Sequence, residues 1–192
     1  MKITLKEKEY KIMKIAISGS QHSGKTTLIQ ALKSLDEFKH FNFFKSASRH
    51  VNDTGGKVNR NIDKKSQIRI FEQHYNNILK HNSNKDVLFD RCILDALSYA
   101  TDSCGHGHIK PSVVETGVQY FEKLMPLYDY VFYLEPIADM SEDGVRDTNE
   151  QYRKDVVEIY KDIIEDTKFK NVFIIDGTIK ERTHKIKEIV YG

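Results

Sequence analysis

The octapeptide Gly19-Ser20-Gln21-His22-Ser23-Gly24-Lys25-Thr26 has the spacing G-x-x-x-x-G-K-[ST], and no other stretch limits the fold of this chain so strongly. Such a loop needs a strand before it and a helix after it. The apolar run Ile15-Ala16-Ile17 supplies the first, and Leu28, Ala31, Leu32 and Leu35 follow at helical spacing. A polyphosphate is a dense anion, so its donors must approach without steric obstruction. Gly19 and Gly24 give that access, and the amides from Ser20 to Thr26 point inward at a helix start, where the macrodipole favours negative charge. Lys25 is placed to reach the β- and γ-phosphates, and the Thr26 hydroxyl to hold Mg²⁺. The expected nucleotide-binding set is therefore Gly19, Gln21, His22, Ser23, Gly24, Lys25, Thr26 and Thr27.

The rest of the chain alternates strands and helices in the rhythm of a parallel sheet. After the first strand, about Lys14 to Ser18, strands are predicted at Phe41–Phe44, Val87–Phe89, Tyr130–Leu134 and Val172–Ile175. Helical faces are expected on Ile68, Phe71, Tyr75, Ile78 and Leu79; on Val114, Val118, Phe121 and Met125; on Tyr152, Val156, Ile159 and Ile163; and on Ile179, Thr183, Ile186 and Val190. Residues 1 to 12 read as an edge strand or a leader. Val51 to Lys65, with Gly55-Gly56 and several Asn, reads as a mobile rim loop, and Asp102 to Ser112 as another. The expected fold is α/β, a three-layer sandwich around a five-stranded, mostly parallel sheet, and its 192 residues suit a single domain.

Charge is nearly balanced, 30 Lys plus Arg against 28 Asp plus Glu, so composition does not call for a polyanionic partner. One segment departs from that balance: Lys39 to Lys65 holds seven basic residues and only Asp53 and Asp63 as acids. Cys92 and Cys104 cannot form a disulfide framework, and the apolar runs are too short to span a bilayer, so a soluble cytoplasmic chain without membrane contact is expected. The oligomeric state stays open.

In an open parallel sheet, ligands bind beyond the carboxyl ends of the strands, so Asp90-Arg91, ending the third predicted strand, should arrive beside the loop. Asp90 either accepts the proton of an acceptor hydroxyl or holds Mg²⁺ through water. Its bland reading is a helix N-cap. Asp95 follows on a predicted helix. Arg146 lies in a polar stretch that can fold down as a lid over about residues 139 to 153, with Arg153 beyond it and Arg49 and Arg91 as further cations. Solvated charge pairs are the plain alternative for Arg153. Tyr99, Tyr120, Phe71 and Tyr75 could stack on a base, although aromatics at helical spacing more often pack a core.

Other strings weigh less. Cys104-Gly105-His106-Gly107-His108 offers three potential zinc ligands without a complementary pair elsewhere, and so reads as an exposed polar loop. Asp53-Thr54-Gly55-Gly56 has the D-x-x-G form of GTPases but no apolar strand immediately before it. Asn84-Lys85-Asp86 is one residue short of N-K-x-D and precedes a strand instead of following one, which argues against a regulatory GTPase. His74 reads as a half-buried packing residue.

With these residues in place the chain resembles the P-loop nucleoside and nucleotide kinases over about residues 13 to 190. Phe89-Asp90-Arg91-Cys92 is similar to the Asp/Glu-Arg signature of thymidylate and deoxynucleoside kinases, which implies an acid near Mg²⁺ or the acceptor hydroxyl and an Arg steadying acceptor or phosphates. Asp143-Gly144-Val145-Arg146-Asp147 followed by Glu150-Gln151-Tyr152-Arg153 is similar to the nicotinamide-riboside-kinase-like ATPase branch. That likeness implies a lid in which Arg146 touches the transferred phosphate. Lys45 and Ser46 stand where those relatives usually carry a Glu ahead of the Arg after strand two.

The resemblance implies ATP and Mg²⁺ as cofactors and a nucleoside- or nucleotide-like acceptor held by Arg49, Arg91 and Asp95. Lys25, Asp90, Arg146 and Arg153 are the expected catalytic set, with Thr26 and Asp90 toward the metal. The basic segment would instead suit DNA as substrate, as in phage enzymes of this group that phosphorylate 5-hydroxymethyluracil in DNA. A nucleotide-gated switch without an acceptor is the alternative from another class.

Overall fold

A computed structural model of the chain describes residues 12–79, 85–136, 150–167 and 169–192, with the side chains of residues 60 and 150 left aside. The leader or edge strand expected at the N-terminus falls outside these residues except for Ile12. Asn84 and most of the expected lid, Arg146 included, also lie outside them.

Five strands form one parallel sheet: β1 (Lys14–Ser18), β2 (Asn42–Phe44), β3 (Val87–Asp90), β4 (Tyr130–Leu134) and β5 (Val172–Ile175). Their spatial order is β2-β3-β1-β4-β5, which puts β1 in the middle, with Ile17 opposite Asp90 of β3 and Phe132 of β4. Because side chains alternate along a strand, Ile15, Ile17, Leu88, Phe132 and Leu134 pack on one face, and Ala16, Val87, Phe89, Val131 and Tyr133 on the other. The first face is covered by α1 (Lys25–Ser34) and α7 (Ile179–Tyr191), through Leu28, Ile29, Leu32 and Ile186. The second is covered by α2 (Ala47–Asp53), α3 (Lys64–Leu79), α4 (Ile93–Gly105), α5 (Pro111–Leu124) and α6 (Glu150–Thr167). Strands buried on both faces are expected where every connection crosses over through a helix. The expected three-layer α/β sandwich is the fold observed.

Two expected loops are helical. Ala47–Asp53, read in part as the start of a mobile rim, forms α2 because Ala47 and Val51 reach the core one turn apart. The Asp53–Gly56 string therefore ends a helix, where Gly56 N–H donates to the Val51 carbonyl. Likewise α4 continues through Asp102, Ser103 and Cys104, because Asp102 and Ser103 are buried and extend the face begun by Leu94 and Leu97. Three predicted core positions face outward: Tyr75, Leu79 and Val118 are 40%, 47% and 39% exposed. On α6 the third deeply buried position is Tyr160, not Ile159, whereas Tyr152 and Val156 are buried as expected.

Asp86 is buried and accepts the Met13 amide at 2.8 Å and His40 Nε2 at 2.9 Å. It fixes the entry into β1 instead of reading a base. No helix among the described residues is long and apolar enough to cross a membrane.

Candidate active site

The loop after β1 turns on backbone that other residues resist. Gly19 has φ 143°, and a Cβ there would stand 2.8 Å from the Leu134 carbonyl oxygen and 2.9 Å from Ser23 Oγ. Gly24, at φ 84°, forms the left-handed N-cap of α1. His22 adopts φ 60° between them. The first hydrogen bond of α1 runs from Leu28 N–H to the Gly24 carbonyl at 2.9 Å. The amides of Lys25, Thr26 and Thr27 thus precede the helical ladder, the position from which a helix start holds an anion. Thr26 and Thr27 are exposed.

Lys25 is buried, and its Nζ donates to the Gly19 carbonyl at 2.8 Å, to Ser23 Oγ at 3.0 Å and to the Ser20 carbonyl. Burial pulls its pKa down to about 7, and the Arg91 cation pushes the same way against the partial offset of Asp95 and Asp90. The ammonium lacks a full countercharge. This glycine cradle, with its free first-turn amides, buried lysine and exposed Thr26, fits the triphosphate and Mg²⁺ that the motif implies.

Behind the loop sits a clamp centred on Asp95. Its Oδ1 accepts from Arg91 NH1 at 2.9 Å, from the Tyr160 hydroxyl at 2.8 Å and from Gly19 N–H at 3.3 Å, while Oδ2 accepts the Cys92 amide at 2.9 Å. Burial pushes this carboxyl up, but Arg91, Lys25 and these donors outweigh it and hold the pKa below the usual carboxylate value. Arg91 takes a left-handed φ of 74°, uncommon outside glycine, which turns the chain sharply after β3. Its guanidinium also reaches the Gly19 carbonyl at 3.2 Å and lies 5.3 Å from the centre of the Tyr99 ring. Tyr99 OH in turn accepts the Gln21 amide at 3.1 Å. Three elements therefore converge on one loop: α4 through Asp95 and Tyr99, the β3 exit through Arg91, and α6 through Tyr160.

Asp90 stands at the carboxyl end of β3, half-buried, and is no N-cap: Cys92 caps α4, with Asp95 closing its capping box. Burial raises the Asp90 pKa above the ordinary carboxylate value, partly offset by Arg91, Lys25 and Arg49. The two aspartates are thus pushed apart, Asp95 toward the ionised form and Asp90 toward proton uptake.

A cleft of about 520 Å³, open solvent included, adjoins the loop; Gln21, Arg91, Asp95, Tyr99, Gln67 and His74 are among its lining. His74 is buried rather than half-buried, and burial lowers its pKa to about 4, so it is neutral at ordinary pH. Gln67 is buried, its Nε2 donating to the Ala96 carbonyl at 3.2 Å. Of the aromatics considered for stacking, Tyr99 lines the cleft. Phe71 and Tyr75 instead pack on Tyr120, with ring centres 5.8 and 6.3 Å away.

The structure thus brings together Lys25, Asp90, Arg91 and Asp95, with Arg49 exposed on α2 but electrostatically felt by Asp90. Arg153 is half-buried on α6 and is not among the cleft residues, although its neighbour Tyr152 is. Sequence reasoning missed Tyr160 and Arg182. The Arg182 side chain, 1% exposed, donates from Nε to the Gly177 carbonyl at 2.7 Å, from NH1 to Ser23 at 2.8 Å and from NH2 to Glu135 at 2.8 Å. It ties the loop to the ends of β4 and β5. Neither residue carries a local signal: a Tyr in an amphipathic helix and an Arg among lysines look ordinary.

A phosphate-type loop between a central parallel strand and a helix, in a sheet of order β2-β3-β1-β4-β5 covered on both faces, defines a P-loop NTPase fold. The AAA_28 family, an AAA domain, matches residues 14–182, and the chain belongs to it. At the level of sequence no curated protein matches. Solved structures share the fold. The NadR protein crystallised in complex with NR superposes with a TM-score of 0.72 at 19% identity, over 95% of this chain and 52% of that one, so the chain spans about half the length of NadR. Deoxyadenosine kinase from M. mycoides, with products dCMP and dCDP bound, gives 0.68 at 18% identity, covering 93% and 98% of the two chains. Thymidylate kinase from Candida albicans gives 0.65 at 15%, covering 93% and 91%.

Proposed function

We propose that this protein is an ATP-dependent kinase that transfers the γ-phosphoryl group to a hydroxyl of a nucleoside- or nucleotide-like acceptor. One observation carries the reading: a cleft beside the phosphate loop is lined by Gln21 of that loop and by Arg91, Asp95 and Tyr99, the residues that also bond to it. The nucleoside and nucleotide substrates of the kinases that share this fold agree with it.

The loop amides and Lys25 bind the triphosphate, Lys25 Nζ exchanging carbonyl partners for phosphate oxygens. Thr26 would hold Mg²⁺, which when bound would neutralise charge on the phosphates. The acceptor oxygen forms a bond to the γ-phosphorus while the bond from that phosphorus to the bridging oxygen breaks, and ADP departs. The acceptor proton passes to the Asp90 carboxylate, whose raised pKa suits it to receive one. Asp95, saturated with donors, is a positioning residue that holds Arg91 and the Gly19 amide. Arg91 faces the cleft and steadies acceptor or phosphate charge, while Arg49, Arg146 and Arg153 add cations from α2 and the lid side.

A second reading keeps the chemistry and changes the acceptor to a hydroxymethylated base in DNA. It is favoured by exposed Arg49, Lys57, Lys64 and Lys65 on the rim that carries the cleft residues Ser48, Val58 and Asn59. ATP labelled at the γ-position, offered with free nucleosides, nucleotides and modified duplex DNA, tests both. Label on a small acceptor supports the first reading, and label in DNA that weakens steeply with salt supports the second. Release of phosphate only to water, whatever the acceptor, would replace both with a nucleotide-gated switch.

A further inference from the structure

Away from the phosphate loop, Asp102 and His106 at the end of α4 meet Asp155 of α6. Each of the three offers one ligand atom, and these atoms lie within 4.8 Å of one another. Two carboxylates and an imidazole, drawn from two helices, form an N/O donor set suited to a borderline transition ion. The sequence separation conceals it: the other potential ligands beside His106 in sequence, Cys104 and His108, are not members of the cluster, and Asp155 lies on another helix.

Two further features distinguish the group from a chance surface cluster. Asp155 is already oriented by a neighbour outside the group, as metal ligands usually are, and His106 and Asp102 already lie against each other. Gln151 Nε2 donates to Asp155 Oδ1 at 2.7 Å, and His106 Nδ1 stands 3.0 Å from the Asp102 carbonyl oxygen and 3.5 Å from Asp102 Oδ1. The group is also graded in depth, since the Asp102 side chain is 3% exposed whereas that of His106 is 53% exposed, which leaves an open path for an ion. Donor atoms around Zn²⁺ at about 2.0–2.2 Å lie roughly 3–3.5 Å apart, so small side-chain rotations close the shell.

We propose that Asp102, His106 and Asp155 form a site for one Zn²⁺ ion, separate from any Mg²⁺ at Thr26, with water completing the shell. Asp102 lies two helical turns beyond Asp95, about 10 Å along α4. Asp155 lies on the helix that delivers Tyr152 to the cleft and Tyr160 to Asp95. The ion joins the two helices that brace the phosphate loop, and fixes their relative position. The proposal stands without the kinase reading.

The test uses the full chain, stripped of metal with chelator and without nucleotide, titrated calorimetrically with Zn²⁺ in the presence of excess Mg²⁺. The expected result is one ion per chain, a chelator-reversible rise in melting temperature, and at least about tenfold weaker binding in both His106→Gln and Asp155→Asn. His184→Gln, an exposed histidine on α7, serves as control and should bind as the parent does. These side chains are largely outside the core, and equal melting temperatures of the metal-free variants and parent confirm intact folding. Absence of saturable binding by the parent overturns the proposal, as does Zn²⁺ binding that survives unchanged in both variants or is displaced by Mg²⁺.

Discussion

Nucleotide binding should be coupled to proton uptake through Lys25. In the structure its ammonium is buried against carbonyl and hydroxyl oxygens with Arg91 nearby, and its pKa is drawn down to about 7. Contact with a triphosphate supplies the missing countercharge and returns the pKa toward its ordinary 10.5. At pH about 8, roughly nine-tenths of the free protein carries a neutral Lys25, so binding takes up about 0.9 proton; at pH about 6 the uptake falls to about 0.1. The sign follows directly. Above the free-state pKa the site must gain a proton to bind, so apparent affinity falls about tenfold per pH unit beyond pH 7, while below it affinity is flat with respect to this group. Calorimetry of MgATP binding in two buffers of different ionisation enthalpy, at matched pH, reads the uptake as the slope of enthalpy against buffer enthalpy. Lys25→Met binds more weakly and should show only the slope of the ligand's own titration. A parent slope at pH 8 equal to that of Lys25→Met refutes the reasoning, because Lys25 would then be charged in both states.

Asp90→Asn should lower turnover by about 10²–10⁴ while leaving nucleotide affinity within a few-fold, measured by labelled transfer beside calorimetry; near-normal turnover removes Asp90 as base. Tyr160→Phe deletes one donor to an ionised carboxylate without a cavity, and should cost about 1.5–3 kcal/mol, read as a fall of about 3–12 °C in melting temperature. Because the folded-state pKa of Asp95 is depressed, this loss is fully present above the unfolded value of 3.8 and fades as pH falls through the folded one, so the deficit should be equal at about pH 8 and about pH 5. Arg182→Met strands three backbone carbonyls at about 1 kcal/mol or more each, so denaturant unfolding should show at least about 3 kcal/mol of lost stability. A loss below 1 kcal/mol means that water replaces the guanidinium.

How much could be read from the chain by itself depended on the range of the interaction. The phosphate loop, β1 and α1 were legible because their signals lie within one continuous stretch: an apolar run, two glycines at fixed spacing and a helical stripe. The five strands followed from compact apolar runs, and the three-layer class from their alternation with helices. Elements whose identity rests on distant burial were harder. Ala47–Asp53 looks like polar rim until Val51 is seen in the core, and Asp102–Cys104 looks like loop until their carboxylate and hydroxyl face is packed. Val118 and Tyr75 had the right spacing but the wrong side, since periodicity fixes a stripe and not what lies against it.

The site shows the same division. Sequence alone determined the loop's residue types, Gly19, Gly24, Lys25 and Thr26, and their fixed spacing between β1 and α1, because backbone freedom and charge at one turn of chain are local properties. It also placed Asp90 and Arg91 at a strand end. Only the tertiary structure decided that the two nearby aspartates differ: Arg91 and Lys25 act on both, but at Asp95 they are joined by the Cys92 amide and by the Tyr160 hydroxyl from 65 residues away and overcome burial, whereas at Asp90 burial prevails. The same holds for Arg182, which grips Ser23 from 159 residues away. A carboxylate's proton affinity and an arginine's partners are set by what folding brings within a few ångströms, and that information is spread over the whole chain.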